Sequence, residues 1–415
     1  MSPSPSPGSR APCALVRGAG PAGTLAALAL AEAGWTVTLV DPASPERLLA
    51  SQRAYAFTHS SRRLLQRLGL WERLAAVMQP FDQLDLSDQG SQCGVRFTPA
   101  DLWGAPRPAP TEALTETPSA TASQAQTEAQ ALARPVGWIA RHGPLLAALL
   151  EAVAAQPSIH RALGVTTPVD PEADLIVAAD GARSTTREGL GIGVWRHVYD
   201  QRCVTAQVTL RGGRPTTAWE RLRPEGPFAL LPMGGGRFQV VWSAPGWRCR
   251  QLESLSPAAF LDALAPVLPA EVDLASLEEG ARVFPVQAHL ARRLRRGRTI
   301  LLGETAHRCH PVGGQGLNLS WRDVAVLHRL ARRAQAGRLS LDRLPAAYAR
   351  RRWLDLCLTL MITDALVRLF SNRHPALLAL RRPAVVALGR APWLRRCLLG
   401  VMTNGPCQPF EAAPS

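Results

Sequence analysis

The sequence predicts an α/β fold: a doubly wound, mostly parallel sheet with an inserted antiparallel sheet and a helical C-terminus. Three observations predict it. A strand, a glycine-rich turn, an Ala/Leu helix and a second strand follow one another within about thirty residues near the start of the chain. Alternating, strand-like segments crowd the stretch 202–243, and helical periodicity takes over from Leu317 onward.

Taken in order, Met1 to Pro12 is Ser/Pro-rich without an apolar core, so the sequence predicts a disordered start and no secretory signal. Cys13 to Val16 reads as a buried strand, Thr24 to Ala33 as a helix stopped by Gly34, and Trp35 to Val40 as a strand ending at Asp41. Leu64, Leu65, Leu68 and Leu74 predict a helix over 60–76. The stretch 104–135 is Ala, Pro, Thr, Ser, Glu and Gln with almost no aromatic content, and reads as a disordered insert. A strand at 136–140, a helix at 144–155, and buried strands at 174–179 and 299–303 complete the α/β pattern. The expected domains are a nucleotide-binding domain (13–80, 136–200 and 286–345), a sheet domain (81–103 and 201–285) and a C-terminal helical region (346–415).

Composition sets limits on function. A 415-residue chain that is 47% hydrophobic and 19% charged is neither a disordered tail nor a polytopic membrane protein. All 47 basic residues are arginine against 32 acidic ones, for a formal charge of +15, which reads first as genome composition. The excess is concentrated: residues 321–400 hold 16 Arg against 4 Asp and no Glu, a net of +12. Arginine alternates there with Leu, Val, Ala and Trp393, a pattern that suits either contact with an anionic membrane surface or a packed helix pair with solvated faces. No nucleic-acid motif is present, so no nucleic-acid partner is expected. Eight cysteines without C-x-x-C spacing read as small buried hydrophobes in a reducing compartment. No segment is apolar enough to span a membrane, and a cytoplasmic protein, peripheral on the inner face of the cell membrane, is expected.

Gly18, Gly20 and Gly23 form G-x-G-x-x-G between strand and helix. The first glycine permits the tight turn, the second close approach of a pyrophosphate, and the third close helix packing. The helix N-terminus then offers free N–H groups to the phosphates. Asp41, 18 residues after Gly23, stands where an acid binds adenosine ribose hydroxyls. This unit by itself leaves FAD and NAD open. Arg17 departs from the small residue usual before such a turn. Asp180-Gly181 ends another buried strand, and Gly314-Gln315-Gly316-Leu317-Asn318 opens a helix whose N–H groups can stabilise negative charge. His307, Cys309 and His310 are close in sequence, but without a further Cys/His pair no metal site is expected. Asp323 reads as a helix ion-pair partner, and Arg141 and His142 as facing either the cofactor or solvent.

The segment 179–187, Ala-Asp-Gly-Ala-Arg-Ser-Thr-Thr-Arg, resembles the "DG" motif of the single-component flavin-dependent aromatic hydroxylases. The segment 303–318, from Gly303-Glu304-Thr305 through His310-Pro311 to Asn318, resembles their "GD" motif with Glu304 in place of Asp. The stretch 217–232, the run Arg53-Ala54-Tyr55-Ala56-Phe57, residues 68–71 and residues 363–372 are similar to the ubiquinone-biosynthesis branch of that family. The resemblance covers residues 14–402 apart from the 104–135 insert. It implies FAD as cofactor and NAD(P)H as a transient co-substrate. The implied reaction hydroxylates a polyprenylated phenol with O2 through a flavin C4a-hydroperoxide. Implied cofactor-binding residues are Gly18, Gly20, Gly23, Asp41, Arg53, Asp180, Gly181, Glu304, Gly314, Gln315, Gly316, Leu317 and Asn318. Pro311 and His310 are implied at the reacting face of the flavin. Other ubiquinone-biosynthesis enzymes are expected partners. The alternatives are a halogenase or prenyl reductase of the same fold, or a flavin-less assembly scaffold.

Overall fold

The computed structural model describes residues 10–103, 135–165 and 172–408. The expected disordered start lies largely, and the 104–135 insert almost wholly, outside the described residues. The elements that position the site begin with β1 (Cys13–Arg17), α1 (Pro21–Glu32), β2 (Thr36–Asp41), β3 (Ala54–Phe57) and α2 (His59–Arg67). Three strands follow, β4 (Met78–Phe81), β5 (Gln83–Asp88) and β6 (Cys93–Phe97), then β7 (Gly137–Arg141), α3 (His142–Ala154), β8 (Ile159–Leu163) and β9 (Leu175–Ala178). Next come β10 (Val194–Gly212), β11 (Thr217–Leu222), β12 (Phe228–Pro232), β13 (Arg237–Pro245) and β14 (Val272–Ala291). The chain continues through β15 (Arg295–Arg296), β16 (Thr299–Leu301) and β17 (His307–Arg308), then α4 (Gln315–Gln335), α5 (Leu344–Phe370), α6 (Pro375–Arg390) and α7 (Pro392–Asn404).

The first sheet has the order β15-β16-β9-β1-β2-β8 and is parallel apart from the β15–β16 pair. Its central strands are apolar almost throughout because both faces are buried: α1, α3 and α4 cover one, and Leu15, Val40 and Ile176 form a smaller buried cluster with Ala173 on the other. Val16, Val37, Val177 and Ile300 are fully buried. Alanines 26, 27 and 29 are likewise fully buried in α1, and their small side chains let that helix pack closely against α4. The loops after β1, β9 and β16 meet at the C-terminal edge of this sheet, where such folds place their ligands.

The second sheet has the order β17-β14-β10-β13-β12-β11-β5-β6, antiparallel except for the β11–β5 pair. Side chains alternate across it. Val204, Ala206 and Val208 enter a core with Phe228, Trp242 and Phe260, while Cys203 and Thr205 line the cavity described below. A small sheet, β3-β7-β4, closes the side.

The helix expected over 60–76 is two helices, α2 and Trp71–Ala75, because the chain turns at Gly69, whose φ is +67°. The antiparallel strands run past the expected limits of the sheet domain: β10 begins at Val194 and β14 ends at Ala291. At the C-terminus, α6 packs on the edge strand β6, and α7 packs on the helix Pro99–Trp103. Arg381 is fully buried over the Phe370 ring and donates to Asn372, and Arg395 pairs with Asp101 at 2.7 Å. Trp393, Arg382, Arg390 and Arg396 remain exposed. No helix among the described residues is long and apolar enough to cross a membrane.

Candidate functional site

A cavity of about 390 Å³ opens where the parallel-sheet edge, β3 and the inner face of the large sheet meet. Two helices point their first turns at it. At α1, Gly20 to Ala22 line the wall; at α4, Gly314, Gly316 and Leu317 do. Neither helix has a side-chain cap, so the first N–H groups of both remain available to a ligand.

The three glycines of the first turn divide the work that the sequence assigned them. A Cβ on Gly18 would stand 2.3 Å from the Ala179 oxygen, and one on Gly23 would stand 1.9 Å from the Gly18 oxygen. These two are packing glycines, and neither lines the cavity. A Cβ on Gly20 would meet nothing within 4 Å, leaving a cradle in which a pyrophosphate can lie against bare backbone. Asp41 is also absent from the cavity wall. Its carboxylate accepts the Ala19 N–H at 2.7 Å and the Ala43 N–H at 2.8 Å, so it fixes the turn.

Asp180 behaves in the same way. It accepts from the Ser184 hydroxyl at 2.5 Å, the Thr186 N–H at 3.0 Å and the Thr305 hydroxyl at 3.1 Å. Gly181, with φ +83°, is the part of this motif that reaches the cavity. Glu304 reaches it as well, its half-exposed carboxylate 4.0 Å from Arg53. The Glu304 carbonyl accepts the buried His289 Nε2–H at 2.9 Å, and Gly303 N–H donates to Asp323 at 2.9 Å.

Asp323 is fully buried, and its partners come from three segments. Besides Gly303, it accepts from His307 Nε2 at 2.7 Å and from Arg352 Nε of α5 at 2.6 Å. The expected ion pair therefore joins two helices and continues through Arg352–Asp355 and Arg322–Asp355. Although burial opposes ionisation, His307, Arg352 and the Gly303 N–H hold the carboxyl down at about 2.

Of the α4 loop residues, Gly314, Gly316 and Leu317 line the cavity, whereas Gln315 and Asn318 are buried behind it. Gln315 donates to the Gly313 and Met402 carbonyls. Asn318 donates to Ala56 and Gly314 and accepts from Thr58 and Ser61, tying the loop to β3 and α2. Pro311 lines the cavity. His310 does not. Its Nδ1 accepts the Val312 N–H, its Nε2 faces Gln201, and Tyr199 packs edge-on at 5.0 Å. Burial lowers its pKa to about 4, which leaves it a neutral buttress behind the wall. The tight Val312 turn draws the ring inward, a feature that sequence order does not reveal.

His142, left open by the sequence between cofactor and solvent, lines the cavity, whereas Arg141 is exposed; to Tyr55 and Glu220 sequence reasoning assigned no role. Tyr55 donates to His142 Nδ1 at 2.8 Å while His142 Nε2–H donates to the Leu48 carbonyl, and both side chains line the cavity. Glu220, on β11, receives the N–H of Gly313, and burial pushes its carboxyl up to about 8. Strand alternation places it between Ala218 and Leu222, on an apolar face, and that is the signal that could have found it. A raised acid pKa favours the protonated form in the folded state, so this contribution is complete below the ordinary value of 4.5 and is lost as pH rises through about 8. Glu220→Gln keeps an acceptor for Gly313 and removes the titration. Its Tm relative to wild type is expected to rise between pH 5 and pH 8; a pH-independent difference would show that Glu220 does not titrate in this window.

Among the described residues, no three His, Cys, Asp or Glu side chains stand close enough to hold a metal ion. A doubly wound sheet with two uncapped helix N-termini on one cavity defines a dinucleotide-binding class of protein. The chain matches the FAD binding domain family over residues 13–352, and it belongs to that family. FAD is its cofactor. The open backbone at Gly20 and the free N–H groups of α1 and α4 fit that group. The chain is 34% identical to the ubiquinone hydroxylase UbiL of Rhodospirillum rubrum, over 95% of this chain and 91% of that protein. It is 28% identical to the 3-demethoxyubiquinol 3-hydroxylase of Escherichia coli, over 91% of this chain and 95% of that protein. The fold is shared with p-nitrophenol 4-monooxygenase PnpA from Pseudomonas putida, with a TM-score of 0.69, 19% identity, and coverage of 95% of this chain and 98% of that one.

Proposed function

We propose that the protein is an FAD-dependent monooxygenase that hydroxylates a polyprenylated phenol of ubiquinone biosynthesis, with NAD(P)H as electron donor and O2 as oxidant. The observation that carries this reading is the convergence of two free helix N-termini on one cavity whose far wall is a mostly apolar sheet. Likeness to two quinone-pathway hydroxylases along nearly the whole chain supports the substrate class. Bound FAD supplies the reduction of O2 and the transfer of one oxygen atom to the ring.

The protein's part is placement and exclusion of water. The α1 N-terminus and Gly20 would hold the pyrophosphate of bound FAD, and Arg53 and Glu304 would bind its polar linker. The uncapped first turn of α4 would stabilise negative charge on the reduced cofactor. Pro311, Val241, Leu231 and Phe284 form an apolar wall against which an aromatic substrate can lie and from which water is displaced. Exposed Trp393 with Arg382, Arg390 and Arg396 gives the C-terminal helices a face suited to an anionic bilayer in which such a substrate dissolves. Trp393→Glu is expected to weaken binding to anionic vesicles at least threefold in sedimentation.

The test starts with the flavin. Near one FAD per chain is expected in the supernatant after denaturation. A prenylated phenol should then stimulate NAD(P)H oxidation and yield a product heavier by one oxygen atom. A protein that neither carries nor takes up FAD supports the scaffold instead. Flavin reduction with a halogenated or a reduced product supports a halogenase or a prenyl reductase.

A further inference from the structure

On the other side of α4 lies a second cavity, of about 340 Å³, formed with α2, α5 and residues 404–408. Gly316, Leu317 and Ser320 of α4 face the first cavity; Trp321, Arg322, Ala325 and Val326 line the second. At 100° per residue these sets lie on roughly opposite faces of the helix, so the two cavities do not merge.

We propose that this cavity is a binding site for a ligand bearing a phosphate or diphosphate group. The argument rests on charge, on donors and on how the chain is built around the floor. Even without Arg63, which holds Asn404, and Arg329, the wall carries Arg67, Arg322, Arg351 and Arg352 against one carboxylate among the described residues, Asp355. Asp355 is already engaged by Arg322 at 3.1 Å and Arg352 at 2.6 Å, and Arg352 also pairs with Asp323 behind the wall at 2.6 Å. Four arginines against these two carboxylates leave an excess of two positive charges, carried by Arg67 and Arg351 at the mouth, which matches a doubly charged anion better than a single carboxylate.

The donors are equally one-sided. Arg322 is 8% exposed, and its Nη1 is buried with no hydrogen-bond partner among the described residues; the same is true of Trp321 Nε1. Both groups only donate, so what completes them must bring acceptor oxygens, and the surrounding guanidinium groups favour an acceptor that is anionic. Guanidinium forks match phosphate oxygens in geometry as well as charge. The chain is also fitted to the floor. At Gly405, with φ +91°, a Cβ would lie 2.7 Å from Asp355 Oδ1 and 3.0 Å from Arg322 Cζ, so only glycine lets the C-terminal turn close over these groups. Arg67 and Arg351 are exposed and stand at the mouth.

The test uses FAD-saturated protein, so that the first cavity is filled, and calorimetric titration with inorganic pyrophosphate. Wild type is expected to bind about one pyrophosphate saturably. Arg67→Ala/Arg351→Ala, both on the surface and away from the flavin, should keep its FAD and raise Kd at least tenfold. Trp321→Phe removes the Nε1 donor together with part of a ring packed on Phe57, so it is read only after its Tm and FAD content match wild type; it should then also weaken binding. Absence of saturable binding at millimolar pyrophosphate overturns the proposal, as does equal affinity in wild type and the double variant. If the double variant also raises the KM for NADPH, the natural anion is the diphosphate of that co-substrate; an unchanged KM with lost pyrophosphate affinity identifies a separate phosphate compound. FAD content is read independently, so failure here is distinct from failure of the proposed activity.

Discussion

Asp323→Asn is expected to destabilise the protein by about 3–5 kcal/mol and to release most of its FAD. The magnitude is that of breaking a buried ion pair while leaving its partner in place. Arg352, 3% exposed, would keep only Asp355 as a counter-charge. His307 and the Gly303 N–H would lose the anionic acceptor that fixes them. Gly303 precedes Glu304, so a loss that begins in the core reaches the cofactor wall. A carboxyl held at about 2, against an ordinary 3.8, adds stability above 3.8 that is lost as pH falls through about 2. Denaturant unfolding of both proteins at neutral pH, with released flavin measured alongside, checks the prediction. A difference below about 1 kcal/mol, within the range of ordinary surface substitutions, would sink it.

Gly23→Ala and Gly20→Ala should separate packing from binding within one motif. The Gly23 methyl would sit 1.9 Å from the Gly18 oxygen, and neither backbone segment can yield without moving the β1–α1 turn. That variant is expected to lose about 1–3 kcal/mol or more and to purify without flavin. Gly20 has an extended backbone, φ −70° and ψ 175°, and open space where its methyl would go. Its variant should keep wild-type stability within about 0.5 kcal/mol yet bind FAD at least tenfold more weakly, because the methyl fills the pyrophosphate cradle. Thermal unfolding of the apo forms and fluorescence titration with FAD distinguish the two. Equal loss of stability in both would refute the division of labour.

The contrast shows what was legible in the sequence. The α/β architecture, the glycine turn and the two later motifs could be read because short-range rules govern them: glycine where backbone must pass close, apolar runs where a sheet is covered on both faces. Motif spacing brought Gly20, Arg53, Gly181, Glu304, Pro311, Gly314, Gly316 and Leu317 to one cavity. It could not show that Asp41, Asp180, Gln315, Asn318 and His310 stand behind that wall. Their side chains are turned by hydrogen bonds to backbone groups and hydroxyls, some in the same loop and some on distant segments such as Thr305, Met402 and Ala56, and a linear pattern does not contain those partners. Asp323 read as an ion-pair partner within its own helix for the same reason, since Arg352 and His307 approach only after α5 and β17 have packed. Glu220 lies in an ordinary alternating strand, and its partner Gly313 is 93 residues away.

The pairing of β10 with β14 has a mechanical consequence. It runs from Val194 opposite Ala291 to Gly212 opposite Val272, so two strands of 19 and 20 residues form a ladder about 60 Å long. One end of this beam starts beside β17 and the edge of the parallel sheet, and the other ends at the far margin of the large antiparallel sheet. A clamshell hinge between the layers would have to shear that ladder, breaking backbone hydrogen bonds in series. Give is confined to its interruptions, near residues 198–202 and 205–210. A ladder of this length resists opening of the whole molecule, so access to the cavity is expected to come from displacement of individual walls.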